Sequence, residues 1–495
     1  MIYNLTFKCK IGPKMRLNDQ GAEQNSLMVV MDHLFVQLQD SDGAALGAPM
    51  SIPTNSSTLQ LDNLLNQLLQ NEEPLPHSFF VNNTELVKSL EEVLSFSNKI
   101  ISKENVLTIV YQPQAIFRVQ SICRCSSTLS GHEEVVLCVS FSPNGRRLAT
   151  GSGDKMIRFW DLMTETPLKL GQGHEGWVLC LAWSPDGKYL ASGDMNGVIC
   201  IWDGIECSLR GKLVGHRKWI TQLAWEPLHL SSGSSWRLVS SSKDGTAKVW
   251  DIVQRICKVT LSQHTDSVTS VRWGGDGTIY TASHDRTIKM WSADGSFKGQ
   301  LIGHAHWINT LALSTDHVLR TGAFDHTGEA IEGDPKSIAR HRYEASLNNG
   351  REKLISGSDD FTMYLWEPSN TLKPIARLSG HQSIVNHVQF SPDGRWLASA
   401  SFDKSVKIWN AKSGVFVASL RGHVGRTYQI AWSADSRLLA SCSQDSTIKV
   451  WDIRTKTLKE DLPGHFDEVY AIDWSPNGIR AASGGKDKLV KIWCR

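Results

Sequence analysis

Eight histidines and eight tryptophans alternate along this chain, and their spacing constrains the fold more than any other feature. The histidines are His132, His174, His216, His264, His304, His381, His423 and His465. Seven follow a glycine, and His264 follows a glutamine. Neighbours lie 40 to 48 residues apart, except for 77 residues between His304 and His381. Each interval closes on an apolar run ending in Trp160, Trp202, Trp250, Trp291, Trp366, Trp409, Trp451 or Trp493. Six residues before seven of these stands an aspartate, as in Asp154 and Asp445, and the second unit has Asn196 there.

A period near 40 residues marks a repeat architecture in which each unit cannot bury its own apolar face alone. Turn sequences such as Ser142-Pro143-Asn144-Gly145 and Ser184-Pro185-Asp186-Gly187 separate alternating runs, which suits short hairpin connections. Each unit therefore holds about four short strands, the WD-repeat signature of a β-propeller blade. Eight copies predict eight blades over residues 114–495. A propeller must also close its ring, because open first and last blades would leave raw sheet edges. Ala115–Ser121 (AIFRVQS) is expected to supply the outer strand of the last blade.

In WD repeats the histidine, the turn aspartate, a strand Ser or Thr and the tryptophan form a hydrogen-bonded support inside the blade. His132, Ser152, Asp154 and Trp160 are the expected set in the first blade, with His423, Asp445 and Trp451 in the seventh. Buried polar groups need such partners. Eight near-identical copies argue for a structural network rather than one active site.

Two irregularities stand out. Residues 326–352 (HTGEAIEGDPKSIARHRYEASLNNGRE) interrupt the fifth unit, with a short helix expected over Ser337–Leu347. Such an insertion either binds a partner or is a tolerated surface loop, and the sequence leaves both open. The motifs GHEGW, GHRKW and GHAHW place Trp177, Trp219 and Trp307 three residues after their histidines. With His174, Arg217, Lys218 and His306 beside them, they offer an aromatic and basic surface for RNA or another partner. The alternative, and the favoured one because tryptophan is so often largely buried, is packing between blades.

Residues 33–113 follow a different pattern. A strand over His33–Asp40, a turn, and a returning strand over Pro49–Pro53 precede Ser57-Thr58-Leu59-Gln60, which fits a helix capping box. Leu61, Leu64, Leu65 and Leu68 then repeat at i, i+3, i+4 and i+7. Further strands are expected over Ser78–Val81 and Val106–Tyr111. A hairpin, a helix and more strands suggest a small ubiquitin-like β-grasp domain, α+β in class. Residues 1–32 are unassigned.

Composition adds partners and exclusions. Residues 32–113 hold ten Asp/Glu against three Lys, whereas residues 114–495 hold 45 Lys/Arg against 38 Asp/Glu. An acidic head on a mildly basic body suits two different partners, or is simply solvated surface. No apolar run approaches the roughly 20 residues that span a bilayer, and an intracellular protein without membrane attachment is expected. Cys138, Cys180 and Cys200 fall on apolar runs and are expected as buried thiols. The absence of a phosphate loop, a nucleophile elbow or a metal triad predicts a protein that is not an enzyme and needs no cofactor of its own.

Several stretches go beyond the generic repeat: NQLLQNEEPLP (66–76), IVYQPQAIFRV (109–119), SKDGTAKVWD (242–251), WGGDG (273–277), LRTGAFDHTG (319–328), SGSDDFTMYLWEP (356–368), WSADSRLL (432–439) and DLPGHFDEVYAIDWSPNG (461–478). With the head, they resemble the Notchless family of assembly factors for the large ribosomal subunit, from about Leu34 onward. The resemblance implies a monomer of the nucleolus and nucleus. Its head would dock on the MIDAS domain of the AAA+ ATPase midasin, and its propeller on the pre-60S particle with its rRNA and assembly factors. It further implies that Glu104, just before the last head strand, completes the coordination of a Mg²⁺ ion shared with midasin. Mg²⁺ is a hard cation that takes oxygen ligands and accepts a single carboxylate from a second protein. A signalling scaffold in the Notch pathway is the alternative that the family name implies.

Overall fold

The computed structural model describes residues 33–40, 45–69, 77–81, 84–86, 90, 106–113, 119–232, 236–329, 331–347 and 350–495. The chain divides into two compact units, Met1–Gln114 and Ala115–Arg495.

In the first unit the period-two pattern of β1 (His33–Gln39) sends Leu34, Val36 and Leu38 inward and leaves Phe35 exposed. It pairs antiparallel with β2 (Ala45–Pro53) and parallel with β5 (Leu107–Pro113). β3 (His77–Val81) and β4 (Thr84–Glu85) complete the order β2-β1-β5-β3-β4. That mixed order, with the first and last strands parallel at the centre, is the expected β-grasp.

Helix α1 (Thr58–Leu69) starts where the capping box predicts. The Ser57 amide donates to Gln60 Oε1 at 3.0 Å, and the Gln60 amide donates to Ser57 Oγ at 3.4 Å. Leu61 and Leu65 are buried on the core side, and Leu68 in the last turn is exposed. Asp62 fixes the helix to β3 by accepting from the His77 amide at 3.0 Å and pairing with its ring Nδ1 at 2.8 Å.

The second unit contains eight four-stranded antiparallel sheets. Their innermost strands, from Val136–Phe141 to Val469–Trp474, neighbour one another in sequence order, and the last neighbours the first, so the ring is closed. Each blade buries its repeat tryptophan, seven of them below 2% exposure. Cys200 is buried, while Cys138 and Cys180 are half-buried between strands.

The closing strand is not AIFRVQS. It is Arg124–Leu129, paired antiparallel with Val490–Cys494 in the register Val490↔Leu129 to Cys494↔Arg124. In the other blades too the outer strand runs up to the Gly-His pair, as Leu209–Val214 does before Gly215, so the AIFRVQS segment lies too early. Val119 is instead buried against blades seven and eight, its amide donating to Asp435 Oδ2 at 2.8 Å.

The interruption of blade five is longer than 326–352. It runs between the strands Ile308–Leu313 and Leu354–Ser358 and carries two helices, α2 (Asp316–Thr321) and α3 (Pro335–Ser346). The second confirms the expected helix. Its N-cap Asp334 accepts from the Ser337 amide, and proline occupies the first turn. The segment neither projects outward nor forms a free loop. It lies across the face formed by the turns between first and second strands. Arg320 reaches Asp473 of blade eight and the Phe141 carbonyl of blade one. Gly322 sits against the Pro185 carbonyl of blade two and Gly328 against the Asn144 carbonyl of blade one, each at positive φ where an added Cβ would come within 2.6 Å. Tyr343 stacks on His229 of blade three at 5.0 Å and covers Gly275 of blade four, where a Cβ would lie 2.0 Å from its ring. Since blade one lies opposite blade five in an eight-blade ring, the segment crosses the axis and ties distant blades together. The stretches LRTGAFDHTG and WGGDG thereby acquire a physical reason.

Candidate functional site

The opposite face carries the Gly-His loops, and two kinds of residue meet there. The first is the internal network. In blade one the Trp160 Nε1–H donates to Thr150 Oγ1 at 2.9 Å, and Thr150 Oγ1 lies 2.8 Å from His132 Nε2. His132 Nδ1 meets Asp154 Oδ2 at 2.8 Å. With the Thr150 hydroxyl donating to Nε2 and Nδ1–H donating to the carboxylate, all four groups are satisfied in one direction. The strand hydroxyl is therefore Thr150 and not Ser152. Ser152 lies on the same face two residues further on, at the end of the strand, where it donates to the Glu134 carbonyl at 2.9 Å and accepts from the Asp154 amide at 3.2 Å instead of meeting the imidazole.

Blade seven repeats the arrangement with His423, Asp445, Ser441 and Trp451. Blade two keeps it despite Asn196. Asp194, two residues earlier, accepts from His174 at 2.9 Å, and Ser192 bridges His174 and Trp202. A search for an acid near the turn, rather than six residues before the tryptophan, would have found it.

Burial raises the Asp154 carboxyl, but the hydrogen bond from His132 and those from the Met156 and Glu133 amides outweigh it and hold it below the usual carboxylate range. The Asp–His–Thr order mimics a nucleophile triad. Thr150, however, is 0% exposed and already accepts the tryptophan N–H, so no substrate can approach its oxygen. The network orients loops.

The second kind is exposed. Trp177, Trp219 and Trp307 immediately precede the inner strands of blades two, three and five, where Val178, Ile220 and Ile308 are buried. Alternation turns the tryptophans away from the core. They are 47%, 39% and 45% exposed, so each leaves much of its ring open, although Trp177 and Trp307 also rest against the preceding blade. Each carbonyl accepts a 2.9 Å bond from the amide after its second strand, of Met195, Lys243 and Asp359 respectively. The three thus occupy equivalent positions around the mouth of the ring.

Their surroundings differ. Trp177 lies against Gly153 of blade one. The Lys243 ammonium sits 4.3 Å from the Trp219 ring centroid, a cation–π contact. His284 of blade four stacks on Trp307 at 4.4 Å and 15°, with His306 at 5.2 Å. Arg217, Lys218 and His306 are exposed beside them. The structure therefore brings Trp219 and Trp307 into one arc through Lys243 and His284, two residues the sequence patch lacked, and leaves Trp177 at its margin. Their signal was the turn position that follows each second strand. Glu104 lies outside the described residues, and among those residues no three His, Cys, Asp or Glu side chains group as a metal cluster.

Comparison with known proteins places this architecture. Residues 34–94 match the NLE (NUC135) domain model. The WD domain, G-beta repeat model matches seven segments between residues 123 and 494. It misses residues 293–371, where the insertion splits blade five although all four strands are present. The fold is similar to the crystal structure of the computationally designed Ika8 protein, with a TM-score of 0.58 and 27% identity over 75% of this chain and 100% of that one. The Notchless protein homolog of Arabidopsis thaliana is 57% identical over 77% of this chain and 80% of its own length. Protein Notchless of Drosophila melanogaster is 47% identical over 77% and 79%. Ribosome assembly protein 4 of Saccharomyces cerevisiae is 47% identical over 79% and 80%. With identity of that order over more than three quarters of the chain, the chain belongs to the Notchless family.

Proposed function

We propose that this protein is a non-enzymatic assembly factor of the large (60S) ribosomal subunit, acting in the nucleolus and nucleus. One observation carries the reading: the 47% identity to Ribosome assembly protein 4 extends over 79% of the chain. The propeller would sit on the pre-60S particle, offering the exposed Trp219–Trp307 arc, while the braced opposite face keeps the ring rigid. The head would engage midasin. There Glu104 would supply one carboxylate oxygen to a Mg²⁺ held by the partner, consistent with the taste of that ion for hard oxygen donors. Force applied through such a contact would be transmitted to the particle, and one carboxylate is readily released.

Sedimentation tests the reading. In a sucrose gradient of cell extract the protein is expected to co-migrate with pre-60S particles. Confinement to the light fractions would refute it and favour the signalling-scaffold role to which the name of the Drosophila relative points.

A further inference from the structure

We propose that the arc over blades three to five binds single-stranded RNA, with Trp219 and Trp307 as stacking platforms. It deepens the assembly reading and rests on it for the source of the RNA. The arc is contiguous. Lys243 covers Trp219 at 4.3 Å, and His284, which burial holds below the usual histidine range and which feels Asp266 and Asp359 as well as Lys243 and His306, stacks on Trp307 at 4.4 Å. Arg286 and His306 line the cleft between blades four and five beside that stack, together with Asp266 and Asp285. Arg217, Lys218, Lys243 and Arg286 are exposed, and none is ion-paired among the described residues.

The acids of the arc are engaged. Asp244 and Asp285 belong to the blade networks through His216 and His264. Asp359 accepts from Asn309 at 2.5 Å and faces His306 at 3.7 Å. Asp266 accepts from the Ser267 amide at 2.6 Å. These carboxylates stay charged, but the side chains of Asp244, Asp285 and Asp359 are only 9%, 8% and 15% exposed, so of the four only Asp266 faces solvent against four exposed cations, and the arc favours an anion.

The aromatic planes decide which anion. An acidic peptide is satisfied by the cations alone and has no use for flat, half-exposed indoles set two blades apart with an imidazole between them. Bases of an unpaired strand stack on such planes whatever their sequence, while the phosphates meet the Lys and Arg side chains. A duplex hides its base faces and cannot use them.

The experiment is fluorescence anisotropy of the full chain with a labelled single-stranded oligoadenylate and with a duplex RNA of equal length. Single strands are expected to bind more tightly. Trp219→Ala and Trp307→Ala should each weaken them about tenfold. Lys243→Gln should lower the slope of log K against log salt by about one. Phe466→Ala, on an exposed Gly-His loop of blade eight, should leave binding unchanged. Unchanged thermal midpoints would show that the variants fold. No binding, equal binding of duplex, insensitivity to both tryptophan variants, or equal competition by polyglutamate would overturn the proposal. Gradient co-migration of the same variants separates the two readings. Wild-type co-migration without RNA binding sinks only this inference, and RNA binding without co-migration sinks only the assembly role.

Discussion

Arg320 of blade five forms a two-pronged ion pair with Asp473 of blade eight, with Nη1 donating to Oδ1 at 2.8 Å. Asp473 Oδ2 also accepts the Phe141 amide of blade one at 2.8 Å. One carboxylate thus joins three blades, two of them on the far side of the ring from the third. A WD propeller is otherwise held only by neighbour-to-neighbour packing and by its closing strand, so a contact across the axis adds a different kind of restraint. Arg320→Met is expected to cost about 2 kcal/mol, since it leaves a largely buried carboxylate short of its cation. Asp473→Ala should cost more, because it also orphans the Phe141 amide. A double-mutant cycle in urea measures the coupling, and strictly additive effects would show that the brace carries no energy.

The blade network gives a sharper contrast between two adjacent hydroxyls. Thr150→Val removes the partner of both His132 Nε2 and Trp160 Nε1, each buried, and is expected to destabilise by about 2–3 kcal/mol. Ser152→Ala removes a hydrogen bond to a backbone carbonyl and should cost about 1 kcal/mol. Denaturant midpoints of the two variants test the assignment, and a larger loss for Ser152→Ala would reverse it.

That contrast also shows what the sequence could and could not reveal. The period of the histidines and tryptophans specified the number of blades, because each repeat must bury its own tryptophan under a neighbour. Thr150 and Ser152 share one side of the pleat, so choosing between them required knowing how far along the strand the imidazole reaches, and both hydroxyls satisfy the one-dimensional pattern. The closing strand was misplaced for a related reason: AIFRVQS is apolar enough to pair, yet the outer strand of every blade is tied to the Gly-His loop that follows. Nothing local to Trp177, Trp219 or Trp307 distinguishes a packed indole from a half-exposed one. The difference lies in the buried residue after each, which takes the inward direction. The brace was least legible, since Arg320 and Asp473 are 153 residues apart and meet only once the ring has closed.

Glu352, at the end of the bracing segment, yields a prediction about pH. Its Oε1 accepts from the Gly275 amide at 3.2 Å and from the Thr315 hydroxyl, while Oε2 is buried without a hydrogen-bond partner among the described residues. Burial, only partly offset by the Thr315 bond, pushes its carboxyl up to about 8. The folded protein therefore keeps this proton after the unfolded chain has lost it. Stability should fall as pH rises from the ordinary glutamate range toward 8, by up to roughly 1.4 kcal/mol per unit, and level off above. Glu352→Gln cannot ionise and should flatten the profile. It should be no less stable than wild type at pH 8, the opposite of losing a charged anchor. Melting curves from pH 5 to 9 decide, and a variant that is less stable at pH 8 with an unchanged slope would refute the buried acid.

The family resemblance assigns to Glu104 a role that rests on one oxygen donor. If that carboxylate completes the shell of a midasin-held Mg²⁺, Glu104→Ala removes an inner-sphere ligand and should abolish detectable binding of the full chain to a MIDAS domain. Glu104→Asp keeps the charge but shortens the reach by one methylene, and Mg²⁺ holds its ligands at near-fixed octahedral distances, so this variant should also bind weakly. Glu104→Gln keeps size and a carbonyl oxygen but loses the charge, and should fall between wild type and alanine. Chelation with EDTA should release the wild-type complex and have little effect on whatever binding the alanine variant retains. Titration calorimetry with and without Mg²⁺ reads all four. Metal-independent wild-type binding, or an alanine variant with wild-type affinity, would shift the contact away from Glu104. In that case the acidic character of the head would act through general charge complementarity, and affinity would then fall smoothly with ionic strength rather than with removal of the ion.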